Sequence, residues 1–167
     1  MPEQGLNVEI NIRSSRYLIA SAIETCRHCR AHTRVVALAL PPRHETLSGD
    51  ADGEAAAQES WEVASSSALL FFVEYLPEAV LRTLVQLSPG YRFDYSAASM
   101  ASYFANHCAA CGWAMDDHEL HCEPDGAFLP TSEERAFAVE LIPIDEPLEA
   151  LAAGYAVDPQ FLGLRVE

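Results

Sequence analysis

The stretches Cys26-Arg27-His28-Cys29 and Cys108-Ala109-Ala110-Cys111 decide how this sequence folds. In each stretch two residues separate a pair of cysteines, a spacing that lets one tight turn hold both sulfur atoms on the same side. Zn²⁺ prefers four ligands at the corners of a tetrahedron, and thiolate sulfur binds it at about 2.3 Å. The sequence therefore predicts one structural Zn²⁺, and its ligands are Cys26, Cys29, Cys108 and Cys111.

The residues on either side of the first cysteine pair predict two strands. Apolar residues alternate over 17–23, and residues 33–40 are rich in valine and leucine before two prolines end the run. Alternation with a period of two is typical of a half-buried strand. The first pair is therefore predicted at the turn of a hairpin over about 16–40, and residues 6–12 predict a further strand before it.

The chain between the two cysteine pairs predicts an insertion over residues 41–98. Residues 43–67 are rich in Asp, Glu, Ser, Gly and Ala, a composition that predicts a long, mobile acidic loop. The apolar run 68–73 predicts a buried strand, and Pro77 suits the start of a helix with Leu84 on its apolar face. The insertion therefore adds one strand and one helix.

The remainder predicts a second hairpin followed by a strand and a helix. Residues 99–122 carry the second cysteine pair between two predicted strands. Over 136–156, alternating apolar residues predict a strand, and a helical spacing from Leu148 predicts a short final helix. Taken together, residues 1–167 predict a single domain of the α+β class that is rich in β-structure. The predicted architecture is a split zinc ribbon, extended by an antiparallel sheet and two short helices.

The charge of the chain disfavours polyanionic partners. Twenty-five acidic residues face only ten arginines, and the formal net charge is −15 at pH 7. A field of this sign repels nucleic acid and anionic membrane surfaces. No apolar run approaches the roughly 18 residues that span a bilayer, and the N-terminus lacks the pattern of a secretion signal. We therefore expect a cytoplasmic protein with reduced cysteines and no membrane partner.

These residues resemble the zinc-ribbon superfamily and, more narrowly, uncharacterised bacterial proteins with a split zinc ribbon. The resemblance covers residues 24–41, where a Glu-Thr-Cys-x-x-Cys knuckle leads into an apolar strand that ends in proline. It also covers residues 103–130, where a Tyr-Phe-Ala-Asn-His-Cys run is followed by Leu-His and Gly-x-Phe-x-Pro. The resemblance implies zinc coordination by the four cysteines and implies no activity.

Two features depart from a compact ribbon. Residues 30–107 separate the knuckles, whereas a compact ribbon has about 15–20 residues there. Arg30 follows the first knuckle at a position where glycine is preferred, as Gly112 follows the second, because the backbone there often adopts a left-handed conformation. The first turn is therefore predicted to be less regular than the second.

A thiol-redox role is one alternative for the cysteine pairs. His28 precedes the second cysteine of its pair, as in some disulfide oxidoreductases. Arg27, Arg30 and Arg34 would favour the reactive thiolate. A thioredoxin-like pair begins a helix, however, whereas residues 33–40 predict a strand. The same arginines would also offset the net charge of about −2 on a zinc ion with four thiolates.

The same segment is the basis of a second alternative, a nucleic-acid-binding ribbon. The most basic local stretch contains Arg27, His28, Arg30, His32 and Arg34. No aromatic residue alternates with these arginines, and the net charge of the chain opposes binding. A protein partner is therefore favoured over nucleic acid.

Several further side chains near the two pairs are possible ligands. Cys122 is the fifth cysteine, and we expect a packed or half-exposed free thiol rather than a ligand. The histidines near the pairs are His28, His107, His118 and His121. With four cysteines available, we expect these histidines to support the site or to lie on the surface.

The sequence offers no catalytic constellation. Asp116, Asp117 and Glu119 are expected at a solvated hairpin tip rather than as paired catalytic carboxylates. The chain contains no Gly-rich phosphate loop, no HExxH and no GxSxG motif. We therefore expect a non-catalytic, zinc-binding domain that acts by binding protein, either another chain or a second copy in a homodimer.

Overall fold

The computed structural model of the chain describes residues 9–48 and 60–163. Within these ranges the protein has an α+β fold rich in β-structure, as the sequence predicts. Its strands are β1 (Ile12–Ser14), β2 (Tyr17–Thr25), β3 (His32–Leu40), β4 (Glu45–Ser48), β5 (Ser60–Val63), β6 (Ala68–Tyr75), β7 (Arg92–Ser96), β8 (Ala101–His107), β9 (Ala114–Met115), β10 (Glu140–Ile144) and β11 (Leu148–Val157). Its helices are α1 (Glu78–Leu87), α2 (Glu133–Ala138) and α3 (Gln160–Gly163), with one π-helical turn at His118–Cys122.

Eight strands form one antiparallel sheet in the order β10-β2-β3-β6-β11-β1-β4-β5, and three form a second sheet in the order β7-β8-β9. β2 and β3 pair from Leu18 opposite Ala39 to Thr25 opposite His32. This pairing confirms the first predicted hairpin and places the first cysteine pair at its turn. The predicted strand after residue 67 and the predicted helix after Pro77 are confirmed as β6 and α1.

The β2–β3 hairpin is buried on both faces. Ile19 faces a core cluster that α1 completes with Leu84. Ala20 faces a second cluster, which contains Leu120 from the π-helical turn and Phe128 from the loop after it. Burial on both faces explains why residues 35–40 of β3 are all apolar. None of the described helices is long and apolar enough to cross a membrane.

The prediction of a C-terminal helix from Leu148 is wrong, because the segment forms β11 between β6 and β1. β11 buries Leu148, Ala150 and Ala152 with a period of two. Gly154 faces β6, where an added β-carbon would lie 2.2 Å from Cε2 of Phe71. The same apolar positions also fit a helical spacing, and pairing with two neighbouring strands decides the outcome.

Two loop predictions are also corrected. Within residues 43–67, β4 and β5 pair as a hairpin, so the described part is not an irregular loop. Residues 49–59 lie outside the described residues, as do residues 6–8 of the strand predicted over 6–12. The predicted strand over Trp113–Cys122 ends early at Met115, where the chain continues into the π-helical turn.

The strand predicted over 136–141 begins later than expected. Phe137 lies in α2, and β10 begins at Glu140. The side chain of Ser132 caps α2 by accepting a hydrogen bond from the N–H of Arg135. The described chain therefore has three short α-helices, where the sequence predicts two.

Candidate metal centre

The first cysteine pair sits in a tight turn between β2 and β3. The N–H of Cys26 donates to the carbonyl oxygen of Ala31 at 2.8 Å. The N–H of Arg30 donates to the carbonyl oxygen of Cys26 at 2.9 Å, and Arg30 adopts a positive φ of 68°. The backbone therefore takes the left-handed conformation that suits glycine, although an arginine occupies the position.

The second cysteine pair repeats this turn between β8 and β9. The N–H of Cys108 donates to the carbonyl oxygen of Trp113 at 2.8 Å. The N–H of Gly112 donates to the carbonyl oxygen of Cys108 at 2.9 Å, and Gly112 has a φ of 76°. The same backbone turn is therefore built twice, and the prediction of a less regular first turn is wrong in its hydrogen bonding.

The two turns bring four sulfur atoms together. The Sγ atoms of Cys26 and Cys111 lie 3.7 Å apart, and all four Sγ atoms lie within 4.8 Å of one another. The Sγ atoms of Cys29 and Cys108 lie 3.5 Å apart. A tetrahedron with metal–sulfur bonds of about 2.3 Å has sulfurs about 3.8 Å apart, whereas a disulfide requires about 2.05 Å. The four predicted residues therefore form a cluster that could hold one metal ion.

The cluster lies at the boundary between core and solvent. Cys26 and Cys108 are buried and belong to the second core cluster. Cys29 and Cys111 are exposed. One cysteine of each turn is therefore anchored by packing, while the other leaves the cluster accessible to metal ions and chelators.

Two contacts outside the cluster hold the turns together. The rings of His28 and Trp113 stack with centroids 4.5 Å apart and planes 3° apart. The N–H of Ala109 donates to Oγ1 of Thr33 at 3.0 Å. Each contact joins the β2–β3 hairpin to the β8–β9 hairpin. The arrangement of the sulfurs is therefore supported by side chains that are not themselves ligands.

Backbone donors and neighbouring thiols set the thiol pKa values. The N–H groups of Cys111 and Ala110, opposed by desolvation, lower the pKa of Cys108 to about 6. The N–H of Trp113 lowers the pKa of Cys111, but desolvation of the sulfur and the neighbouring thiols outweigh it and raise that pKa to about 12. Four thiolates at this spacing would repel one another, and a divalent cation among them would remove the repulsion.

Two arginines at and beside the first turn pair with carboxylates. Nη2 of Arg27 lies 2.7 Å from Oε2 of Glu123, and its Nη1 lies 3.5 Å from Glu119. Nη1 of Arg34 lies 3.8 Å from Glu140. Two of the three arginines on which a nucleic-acid-binding hypothesis would depend therefore have acidic neighbours.

Among the described residues, no histidine joins the cysteine cluster. His107 is buried, with Nε2 2.8 Å from Oδ2 of Asp94 and Nδ1 2.8 Å from the carbonyl oxygen of Gly90. His121 is buried beside Phe128, and its Nδ1 has no hydrogen-bond partner in the described part of the chain. Burial lowers the pKa of His121 to about 3. The other two candidates, His28 and His118, are exposed.

The adjacent carboxylates are buried, so the predicted solvated hairpin tip is wrong. Asp116 accepts hydrogen bonds from the hydroxyls of Tyr103 and Ser99. Asp117 accepts a hydrogen bond from the N–H of Phe72 at 2.9 Å, and burial raises its pKa to about 7. Nothing in the local sequence signals this role, because the partners of both aspartates come from other parts of the chain.

The remaining candidates lie on the π-helical turn. Cys122 is a free thiol outside the sulfur cluster, but it is exposed rather than packed or half-exposed as expected, and desolvation raises its pKa. Glu119 is half-buried, and desolvation raises its pKa. Neither residue meets a second group with which it could form a reaction centre among the described residues.

Comparison of the chain with protein families, curated proteins and solved structures finds no match. The likeness to a zinc ribbon therefore depends on the cysteine cluster and on the two hairpins that carry it. A functional assignment has to come from the chemistry of this cluster and of the surface around it.

Proposed function

We propose that this chain is a zinc-stabilised, non-catalytic domain that acts by binding another protein. The observation that carries the proposal is the set of four sulfur atoms at spacings that suit tetrahedral coordination. Four thiolates would fill every position around Zn²⁺ and leave none for water or substrate. Bound Zn²⁺ would therefore contribute folding free energy rather than Lewis-acid catalysis.

The ligands join distant parts of the chain. Cys26 and Cys111 are 85 residues apart, and Cys29 and Cys108 are 79 apart. Closing a loop of this length costs roughly 4–5 kcal/mol in chain-entropy models. Structural zinc sites in small peptides bind with about 10–16 kcal/mol, which exceeds that cost. The metal would therefore hold the β8–β9 hairpin against the β2–β3 hairpin.

The surroundings of the cluster support a protein partner. Arg27 and Arg34 already pair with carboxylates, so they offer little to a phosphate backbone. Trp113 and Ile23 are large apolar side chains near the cluster, and they remain 48% and 58% exposed. Exposed aromatic and aliphatic side chains beside a rigid site favour contact with protein.

The thiol-redox alternative is weaker on the same grounds. A thioredoxin-like pair begins a helix, whereas both turns here connect strands. Sulfur–sulfur distances of 3.7 and 3.5 Å also join each cysteine of the first turn to a cysteine of the second. This arrangement suits one shared ion better than two independent redox pairs.

The metal content of the purified protein tests the zinc part of the proposal. Native mass spectrometry and elemental analysis of protein purified without a metal-affinity tag should find one zinc per chain. The double substitution of Cys108→Ser and Cys111→Ser should abolish zinc binding and lower Tm. Cys122→Ser is the matched control, because Cys122 lies outside the cluster, and it should leave both unchanged. Metal-free protein whose pairs oxidise readily would favour the redox alternative, and one iron per chain would overturn the zinc assignment.

A further inference from the structure

One edge of β2 is only partly paired. On one side, β3 pairs with β2 as far as Thr25. On the other side, β10 pairs with residues 17–21 and its register ends where Glu140 lies opposite Ser21. Residues 22–25 of β2 therefore have no neighbouring strand on this side within the described parts of the chain.

The register identifies the backbone groups that face this open edge. The N–H of Thr25 donates to Oε1 of Glu24 at 3.1 Å and so points away from β3. Pro143, which has no N–H, lies opposite Leu18, so this pair exchanges no ladder hydrogen bonds. Successive residues of an antiparallel strand direct their N–H and C=O groups to opposite edges of the strand. The N–H and C=O groups of Ile23 and Thr25 therefore point to the open edge.

The outer edge of β3 provides a contrast. The Asn106 side chain hydrogen-bonds to both the N–H and the C=O of Val36, at 2.9 and 3.0 Å. The hydroxyl of Ser88 donates to the carbonyl oxygen of Arg34 at 2.8 Å. In the described ranges, no comparable side chain reaches the backbone of Ile23. The protein therefore closes one edge of the hairpin and leaves the other available.

A groove runs along the open edge. One part has a volume of about 340 Å³ and lies between the end of β2 and a wall that includes Ala127 and Pro130. A second part, of about 250 Å³, continues past Glu24 and Thr25 to Trp113 beside the cysteine cluster. Residues 22–25 span about 13 Å when extended, which is the length of edge that a short strand could pair with.

We propose that an extended, positively charged segment of another protein binds in this groove as an additional antiparallel strand on β2. The proposal deepens the interaction function given above and rests on it. The outward N–H and C=O groups of Ile23 and Thr25 would hydrogen-bond to the backbone of the segment, the mode of binding called strand addition. Glu24, which now accepts from the N–H of Thr25, would release that donor to the incoming strand.

The charged side chains that line the groove indicate which kind of segment would bind there. The charged side chains that line the groove are Glu24, Arg27, Glu119, Asp125 and Arg135. Both guanidiniums are already held in ion pairs with carboxylates, whereas Glu24 has no ion pair in the described part of the chain. A second copy of this chain would bring another Glu24 and another net charge of −15 to the same edge. A cationic segment is therefore favoured over self-association.

The probe for the test is the peptide fluorescein-(Val-Thr-Arg-Thr)₂-amide, with the fluorophore on the N-terminal amine, titrated with the zinc-loaded full chain and followed by anisotropy. In an extended strand its Val and Arg side chains share one face, opposite Ala22 and Glu24, and its Thr side chains share the other. We expect saturable binding that weakens at least tenfold when both Arg residues are replaced by Glu. Binding that does not depend on this charge would overturn the proposed occupant.

Two backbone-methylated forms of the probe test strand addition on the wild-type protein. In antiparallel pairing, the peptide residues opposite Ile23 and Thr25 direct their N–H groups at β2, and these are the Thr residues. N-methylation of the Thr residues should therefore weaken binding at least tenfold, whereas N-methylation of Val and Arg should change it less than threefold. Equal affinity of the two forms would overturn strand addition.

A pair of protein variants locates the site. Ile23→Pro removes an N–H that β3 does not use and places the proline ring at the open edge, so the variant should fold and lose the probe. Ile23→Val is the matched control and should bind as the wild type does. Unchanged binding by a folded Ile23→Pro chain would overturn the location, and the methylated probes decide the outcome if that variant does not fold.

The same samples separate this inference from the zinc proposal. If the protein contains one zinc per chain but does not bind the probe, the groove proposal is wrong and the zinc proposal is supported. A chain without zinc that still distinguishes the two methylated probes would end the zinc proposal and support strand addition. Concentration-dependent mass in sedimentation, abolished by Ile23→Pro, would identify a second copy as the occupant and overturn the cationic segment.

Discussion

Asn106 hydrogen-bonds to both backbone groups of Val36, with Oδ1 2.9 Å from the amide nitrogen and Nδ2 3.0 Å from the carbonyl oxygen. Both residues are buried. A side-chain amide carries the same donor and acceptor as a peptide group, so Asn106 occupies the place of a strand beside β3. This contact joins the two hairpins through the core, and it does so independently of the cysteine cluster.

Replacing Asn106 should therefore be costly. Asn106→Leu leaves the N–H and C=O of Val36 buried without partners, and we expect the free energy of unfolding to fall by roughly 2–4 kcal/mol. Asn11 makes the same two bonds to Ala152 but is only partly buried, so Asn11→Leu should cost less. Urea unfolding of both variants measures the difference. Equal losses would show that burial does not set the cost.

The equivalent positions in the two cysteine turns predict effects of opposite sign. Arg30 and Gly112 have φ values of 68° and 76°, and a left-handed conformation costs a non-glycine residue about 1–2 kcal/mol. Arg30→Gly should therefore stabilise the zinc-loaded protein. We expect a gain of only roughly 0.5–1 kcal/mol, because the greater entropy of glycine in the unfolded chain offsets part of the relieved strain. Gly112→Ala should destabilise it by about 1 kcal/mol.

The cost at Gly112 can be assigned to the backbone, because an added β-carbon there meets no heavy atom within 4 Å. Urea unfolding in the presence of zinc, together with competition against a chromophoric chelator, measures both variants. Changes of the same sign in the two variants would contradict the equivalence of the two turns.

Local patterns in the sequence were sufficient to predict β2, β3 and the residues of the cysteine cluster. Alternating apolar residues and the spacing of a cysteine pair involve only neighbouring positions in the chain. They can therefore be recognised without knowledge of the fold. The sequence was insufficient where distant partners decide. β11 has apolar positions that fit both a helix and a strand, and the buried Asp117 accepts a hydrogen bond from Phe72, which is 45 residues away.

Asp117 and His121 give the fold opposing dependences on pH. Burial raises the pKa of Asp117 from 3.8 to about 7, so the folded chain keeps a proton that the unfolded chain loses. Stability should therefore fall as pH rises through that window. Burial lowers the pKa of His121 from 6.5 to about 3, so stability should rise with pH between those values. The two effects oppose each other between pH 3.8 and 6.5, where both groups contribute, and only the Asp117 effect remains between 6.5 and about 7.

Single substitutions should separate the two effects in urea unfolding between pH 5.5 and 8 with saturating zinc. Asp117→Asn should leave stability rising up to about pH 6.5 and level above it. His121→Phe should leave stability falling up to about pH 7. Each slope reaches at most about 1.4 kcal/mol per pH unit, and differences between variants cancel the contribution of the cysteines. A wild-type profile in Asp117→Asn would contradict the assignment.

β11 approaches β6 closely at Gly154. A β-carbon at Gly154 would lie 2.2 Å from Cε2 of Phe71, so Gly154→Ala forces the aromatic ring to move. That ring also contacts His121, with centroids 5.4 Å apart, and its displacement disturbs the second core. We expect Gly154→Ala to lower the free energy of unfolding by about 1–3 kcal/mol, the usual range for overpacking.

A double-mutant cycle shows whether Phe71 is the cause. Phe71→Ala removes the ring, and alanine at position 154 should then cost nothing or stabilise the strand by up to about 1 kcal/mol, because alanine orders a strand more readily than glycine. A coupling of at least 1 kcal/mol between the two substitutions is therefore expected. If Gly154→Ala costs the same in both backgrounds, the close approach is not what requires glycine in β11.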